Sequence, residues 1–189
     1  MKGFSQVKGL DYDQVFSLVI QFELVCLILA MAALEEWVLT GLDVWNAYLY
    51  GKLDEEIYME QPEGFIVPGK ENMVLHLRRA LYGLKPARLV WWQAPKQSME
   101  KLRFTSLSSD AGLFLFRNKN SFIIAIIYVD DTIFCGPFLA LVNHLKEEFK
   151  KIWETWDLGD VTEFLRMRIT RSGSKIHLDQ CAYLETVLQ

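Results

Sequence analysis

The chain is predicted to fold as α+β, an antiparallel sheet with helices segregated to one face. Three stretches predict it. Phe122–Phe134, FIIAIIYVDDTIF, runs seven apolar or aromatic residues into Val129, then two carboxylates, then a second β-branched and aromatic run. That pattern reads as strand, two-residue turn, strand, with Asp130 and Asp131 at the tip of a hairpin whose body is buried. Residues 139–151 carry Leu141, Val142, Leu145 and Phe149 at helical spacing, one apolar stripe on an otherwise polar helix. Met73–Arg79 alternates, with Leu75 and Leu77 on one face and His76 and Arg78 on the other, as in a half-exposed strand.

Along the chain, residues 1–15 read as polar and irregular. Residues 22–37 lack Gly and Pro and are rich in Leu, Ala, Met and Glu, which predicts a helix ended by Gly41. Leu42–Val44 reads as a short strand carrying Asp43, and Ile57–Met59 as another before the turn Pro62-Glu63-Gly64. Leu81-Tyr82-Gly83 is a turn. Residues 87–103 favour helix, but Pro95 inside removes a hydrogen bond and clashes with the preceding turn, at a cost of ~3 kcal/mol, so an interruption is expected there. Leu113–Phe116 is a strand joined through Arg117–Ser121 to the central one. Phe164–Thr170 is a strand, Ser172-Gly173-Ser174 a turn, and Lys175–Leu178 its partner, with Asp179 placed to cap a last helix.

At 189 residues, half of them hydrophobic, the chain is long enough for a substantial core and unlike a disordered segment. A net charge of −4 argues by itself against nucleic-acid binding. The charge is uneven, however. Asp54, Glu55, Glu56, Glu60 and Glu63 precede a segment where Arg78, Arg79, Lys85, Arg88, Lys96, Lys101 and Arg103 accompany Glu100 alone among acids. A local basic surface therefore survives the acidic total. Cys26, Cys135 and Cys181 are odd in number and far apart, which favours a reduced intracellular compartment, cytoplasm or nucleus. No signal peptide is visible, and the apolar run Leu24–Leu34 falls well short of the ~20 residues that span a bilayer, so no membrane role is expected.

Asp43, Asp130 and Asp131 are the residues that can carry chemistry. If their strands are neighbours, three carboxylates converge. Hard cations such as Mg²⁺ take oxygen ligands and are held by one or two carboxylates plus substrate phosphates. Paired ions can stabilise both the attacking and the leaving oxygen of a displacement at phosphorus. The residues alone therefore read as metal-dependent phosphoryl or nucleotidyl transfer. An adjacent pair of aspartates is also a common turn former, and Asp43 alone could be an ordinary strand-end acid.

Longer motifs narrow the reading. Leu42–Gly51 reads LDVWNAYLYG and continues as KLDEEIYMEQPEGF through Phe65; Leu81–Lys85 reads LYGLK, Tyr128–Asp131 YVDD, and Asp157–Gly159 DLG before Phe164-Leu165. In this order and spacing they closely resemble the reverse transcriptase domain of copia-type LTR retrotransposon polyproteins, over nearly the whole chain. The resemblance implies an RNA-directed DNA polymerase with a right-hand fold. Fingers-like parts would fall at about 1–40 and 52–100, palm at 41–51 and 101–175, and the start of the thumb at 176–189. It implies a template–primer of RNA or DNA, deoxynucleoside triphosphates, and two Mg²⁺ ions, with Mn²⁺ as a substitute. By position, Asp43, Asp130 and Asp131 become metal-binding and catalytic. Tyr48 and Val44 meet the incoming nucleotide, with Tyr48 excluding a 2′-hydroxyl. Tyr128, Lys85, Gly83 and Arg78 lie near template and primer, and Phe164–Arg168 supports the primer end.

The chain departs from the family pattern at several of these places. Gln21 and Cys26 stand where basic residues are usual, Leu18 where proline is, Pro86 and Leu89 where glutamine and arginine are, Trp45 where lysine is, and Arg166 where glycine is. A basic fingers strand ahead of Gly3-Phe4-Ser5-Gln6 is represented only by Lys2. These departures predict a shortened, impaired copy. The alternatives are a catalytically dead nucleic-acid- or protein-binding remnant of the same fold and, far behind, a membrane-surface protein.

Overall fold

A computed structural model describes residues 6–9, 12 and 20–188. The irregular stretch 1–15 is thus described only in part, and Lys2 and Leu18 lie outside the described residues. In chain order the elements are α1 (Phe22–Leu34), β1 (Val38–Val44), a 3₁₀ turn (Ala47–Tyr50), β2 (Lys52–Glu60), β3 (Val74–Arg79), α2 (Ala87–Lys101), β4 (Phe104–Leu107), β5 (Asp110–Arg117), β6 (Phe122–Tyr128), β7 (Asp131–Gly136), α3 (Leu139–Lys150), β8 (Thr155–Asp160), β9 (Glu163–Phe164), β10 (Met167–Ser172), β11 (Lys175–Asp179) and α4 (Cys181–Val187). The class is α+β, as the sequence predicts. The chain divides into two compact units, Leu18–Trp45 with Lys96–Gln189 and Met1–Ser17 with Asn46–Pro95.

The larger unit is built on a six-stranded sheet in the order β4-β5-β6-β7-β1-β8, antiparallel throughout. Side chains alternate across it, so Ile133 and Cys135 serve one face and Thr132 and Phe134 the other. On the first face Leu39, Leu113, Ile126, Ile133 and Cys135 share a buried cluster with Val25, Ile28, Leu29 and Ala32 of α1 and with Phe164 and Ile169 of the small sheet β11-β10-β9. On the second face the Phe134 ring meets Phe104 at 6.1 Å and Phe149 of α3 at 5.6 Å between centroids. Helices thus cover both faces, not one. This corrects the expected segregation and accounts for the unbroken apolar run of β6, a strand buried on both sides.

A buried ionic network ties α3 to the sheet. Lys146, 7% exposed, donates to Thr40 Oγ1 at 3.0 Å and to Asp157 Oδ1 at 2.9 Å, and Thr40 donates onward to the Gly159 carbonyl at 2.9 Å. Burial raises the Asp157 carboxyl, but the Lys146 bond, the Gly159 N–H and Lys150 together outweigh it and hold it down to about 2. The Asp157-Leu158-Gly159 motif therefore works as the anchor of an edge strand, with Gly159 at φ 64 turning the chain.

Several predicted boundaries move. α1 stops at Leu34, the turn being taken by Glu36 at φ 53, and Gly41 lies inside β1, where pairing with β7 on one side and β8 on the other overrides its reluctance to enter a strand. α2 runs unbroken through Pro95, because Trp91 and Met99 are both buried on either side of it and packing holds both turns. Phe164–Thr170 is not one strand: β9 and β10 form a hairpin whose two-residue turn is Leu165-Arg166. Asp179 sits one residue before the last helix's N-cap, Gln180, and its carboxylate accepts the Cys181 N–H at 3.1 Å.

In the smaller unit β2 and β3 pair antiparallel, with Ile57 opposite Leu77, and the Ala80 N–H donates to Gly51 O at 2.9 Å. Among the described residues no helix is long and apolar enough to cross a membrane.

Candidate active site

The β6–β7 hairpin and β1 place the predicted acids. Asp131 opens β7 and stands directly opposite Tyr128 on β6 and Asp43 on β1. Residues in direct register share a face, with Cβ atoms about 4.5–5.5 Å apart. Asp43 in turn faces Trp156 on β8. One face of the sheet therefore carries a transverse row, Tyr128, Asp131, Asp43, Trp156. The two-residue turn is Val129-Asp130, one position earlier than predicted, because Asp131 is claimed by strand pairing. Asp130 thus occupies the turn beside the row, and its carbonyl accepts the Val44 N–H at 2.7 Å, locking the end of β1 to the hairpin tip.

Val129 sits at φ 54. For a β-branched residue this is an outlying conformation costing on the order of 1–3 kcal/mol, of the kind that persists where surrounding structure over-determines it.

The electrostatics are those of crowded like charges. Burial, then the carboxylates of Asp43, Asp130 and Glu163, push the Asp131 carboxyl from 3.8 up to about 6. A cleft of ≈ 750 Å³ opens on this face, walled by Gly41, Tyr128, Asp131, Ile133, Glu163 and Arg166 among others. A somewhat larger one, ≈ 860 Å³, lies against β10 and α4 and contains none of the three predicted acids. Among the described residues no three His, Cys, Asp or Glu side chains stand close enough to enclose a metal ion by themselves. The donor set is nonetheless all hard carboxylate oxygen, which suits Mg²⁺, an ion ordinarily bound through one or two carboxylates with substrate phosphates completing its shell.

The remaining predicted residues divide. Val44 lies beside the acids, its side chain 1% exposed and its N–H engaged by Asp130. Tyr48, Gly83, Lys85 and Arg78 belong to the smaller unit. There Tyr48 is buried edge-on against Tyr82, 4.5 Å between centroids, and Gly83 turns the chain at φ 92. The Lys85 ammonium donates to the Gln6 carbonyl at 3.0 Å and lies 5.3 Å from the Tyr12 ring centroid, while Arg78 is exposed on β3. Sequence reasoning missed Glu163 and Trp156. Alternation in Thr155–Leu158 was the available signal for Trp156; Glu163 had none beyond its place beside Phe164.

Residues 1–189 match the family described as "Reverse transcriptase (RNA-dependent DNA polymerase)". The chain is 40% identical over 192 residues to the "Retrovirus-related Pol polyprotein from transposon TNT 1-94" of Nicotiana tabacum, covering 100% of this chain and 14% of that protein. It is 33% identical over 187 residues to the corresponding polyprotein from transposon RE1 of Arabidopsis thaliana, covering 99% of this chain and 13% of the relative. For transposon RE2 of the same plant the figures are 34% over 182 residues, 96% and 12%. The chain thus spans about a seventh or less of the length of these relatives.

Proposed function

The chain belongs to the reverse transcriptase family of copia-type retrotransposons, and on that premise we propose that Asp43, Asp130 and Asp131 form an RNA-directed DNA polymerase site. The observation that carries this is the register placing Asp43 against Asp131 on one sheet face with Asp130 on the adjoining turn. In this reading the palm segment 101–175 lies within the larger unit and most of the fingers segment 52–100 within the smaller. The partners are a template–primer and deoxynucleoside triphosphates, in the cytoplasm or nucleus.

The three carboxylates would hold two Mg²⁺, with Mn²⁺ as a substitute; such ions neutralise the triphosphate and the primer's attacking oxygen. The protein's own part is positioning. β1 and β7 fix Asp43 and Asp131 through the sheet ladder, and the strained Val129 turn fixes Asp130. Burial first, and then repulsion from Asp43, Asp130 and Glu163, raise the Asp131 carboxyl, and a bound cation would offset the repulsive part. Tyr48 is the residue proposed to exclude ribonucleotides.

We expect this copy to work slowly. Arg166 occupies φ 61, a conformation suited to glycine, in the hairpin proposed to support the primer end. Cys26 and Gln21 also leave basic positions neutral; each lost charge-assisted contact removes on the order of 1.5–3 kcal/mol.

Primer extension on an RNA template with Mg²⁺ or Mn²⁺ tests the proposal. Incorporation of deoxynucleotides that Asp131→Asn and Asp43→Asn each abolish is the expected result. Salt-dependent template binding with no incorporation under any divalent ion would replace the polymerase reading with that of a binding remnant.

A further inference from the structure

The row that carries the two acids ends in an exposed aromatic side chain. Trp156 lies directly across from Asp43 and is 63% exposed. The Trp45 ring meets it edge-on at 6.3 Å between centroids, and Trp45 is itself 49% exposed. The main chain beneath both rings is tied down: the Trp45 backbone N–H donates to the Glu154 carbonyl at 2.9 Å, and Trp156 lies in the β1–β8 ladder. Two indoles in edge contact are therefore presented to solvent at the flank of a carboxylate pair. We infer that Trp156, braced by Trp45, is a stacking platform for a nucleobase of the strand brought to the acid pair. The inference rests on the proposed polymerase site and adds a binding residue to it.

Size and surroundings favour a base over a protein segment. A tryptophan offers about 150–250 Å² of contact, so two half-exposed rings fall well below the roughly 800 Å² per partner of a stable protein interface. Asp43 stands on one side; on the other, past Leu158, which is 53% exposed, the strand continues as Gly159 and Asp160, small and polar. A flat heteroaromatic ring fills such a patch, and stacking needs no particular base. Asp43 and Asp131 would repel a phosphate placed against them in the absence of cations. An uncharged base is not repelled there, so stacking on Trp156 is a contact the strand can make before its phosphates are neutralised.

The test is binding, so it does not depend on catalysis. The full chain is titrated, in EDTA and without nucleotide, with a fluorescent 12-nucleotide deoxythymidine oligomer and with an abasic oligomer of the same length. The expected result is tighter binding of the base-bearing oligomer, weakened about five- to a hundredfold by Trp156→Ala, largely retained by Trp156→Phe, and no effect of Trp156→Ala on the abasic oligomer. Asp43→Asn should keep the base-dependent affinity while losing incorporation. Base-dependent binding in a wild-type protein that never extends a primer would sink the polymerase reading and keep the platform. Equal affinity of wild type and Trp156→Ala for both oligomers overturns the platform, even where Asp43→Asn abolishes extension. A change in sedimentation on Trp156→Ala with no change in oligomer affinity overturns it too, in favour of a second copy of the chain.

Discussion

At the scale of single residues, Asp131 is where stability and proposed chemistry oppose one another. Its carboxyl is raised from 3.8 to about 6, first by burial and then by Asp43, Asp130 and Glu163. A raised folded-state value means the fold prefers the protonated form. That contribution is complete below about pH 4 and is lost as pH rises through about 6. The full shift would correspond to about 3 kcal/mol, but Asp131 is only partly buried, and solvent screening leaves on the order of 1–2 kcal/mol. Asp131→Asn removes the charge and keeps the shape. In metal-free buffer it should therefore unfold at higher denaturant than wild type at pH 8, with the gap closing below pH 4. Added Mg²⁺ should narrow the gap at pH 8 by stabilising wild type alone. Equal midpoints for the two proteins at pH 8 without metal would show that the carboxylates do not crowd one another. Asp157 cannot mimic the effect: its carboxyl is held down to about 2, so its contribution fades only as pH falls from near 4 toward 2, and it is common to both proteins.

At the scale of elements, the β9–β10 hairpin shows what an unsuitable turn costs. Its two central residues, Leu165 and Arg166, sit at φ 52 and φ 61. Paired left-handed residues are the geometry for which Asn-Gly is preferred in two-residue hairpins, and an ordinary residue there is disfavoured by roughly 1–2 kcal/mol. Arg166 recovers part of this by lying 6.0 Å over the Tyr183 ring, an exposed contact of about 0.5–1 kcal/mol. Arg166→Gly should still stabilise the protein by about 0.5–1 kcal/mol, read as a rise of a few degrees in midpoint temperature; a fall would mean that the Tyr183 contact outweighs the backbone strain. This turn also shows how far the elements could be read in advance. Glycine-like backbone at Arg166 was foreseeable from the residue's misfit, and β6, β7 and α3 from their periodicity. The edge strand β8 was harder to read, because its alternating Trp156 and Leu158 are exposed rather than buried and its anchoring to Lys146 and Thr40 comes from far away in sequence. Gly41 misled for the opposite reason. It reads as a helix stop, yet neighbours on both sides hold it in a strand. Asp43 and Asp131 were legible as candidates but not as register partners, since nothing local specifies which residue of β1 faces the hairpin.

At the scale of the whole molecule, the acidic total must be reconciled with binding a polyanion. The chain carries 24 acidic and 20 basic residues, a net charge of −4, and its acids crowd the proposed site. Long-range attraction to nucleic acid is therefore weak, and affinity depends on a few local cations with bound divalent ions. Many of those cations are already engaged. Lys146, Lys150 and Lys151 hold carboxylates of their own unit, Arg168 holds Asp179 at 2.9 Å, and Arg171 donates to the Trp37 and Ala32 carbonyls. Arg78, exposed on β3, is a better prospect for a phosphate contact. Each neutralised phosphate of a duplex contributes about −0.9 to the slope of log affinity against log salt concentration. For a 16-base-pair template–primer the slope should accordingly be shallow, around −2 to −4 in all if only a handful of phosphates are met. Arg78→Ala should make it shallower by about 1 and weaken binding to every sequence alike. Raising Mg²⁺ at constant ionic strength should tighten binding of wild type but not of the Asp43→Asn, Asp131→Asn double variant, because only wild type presents the carboxylates that bring ion and phosphate together. A slope unchanged by Arg78→Ala would move the nucleic-acid track off β3.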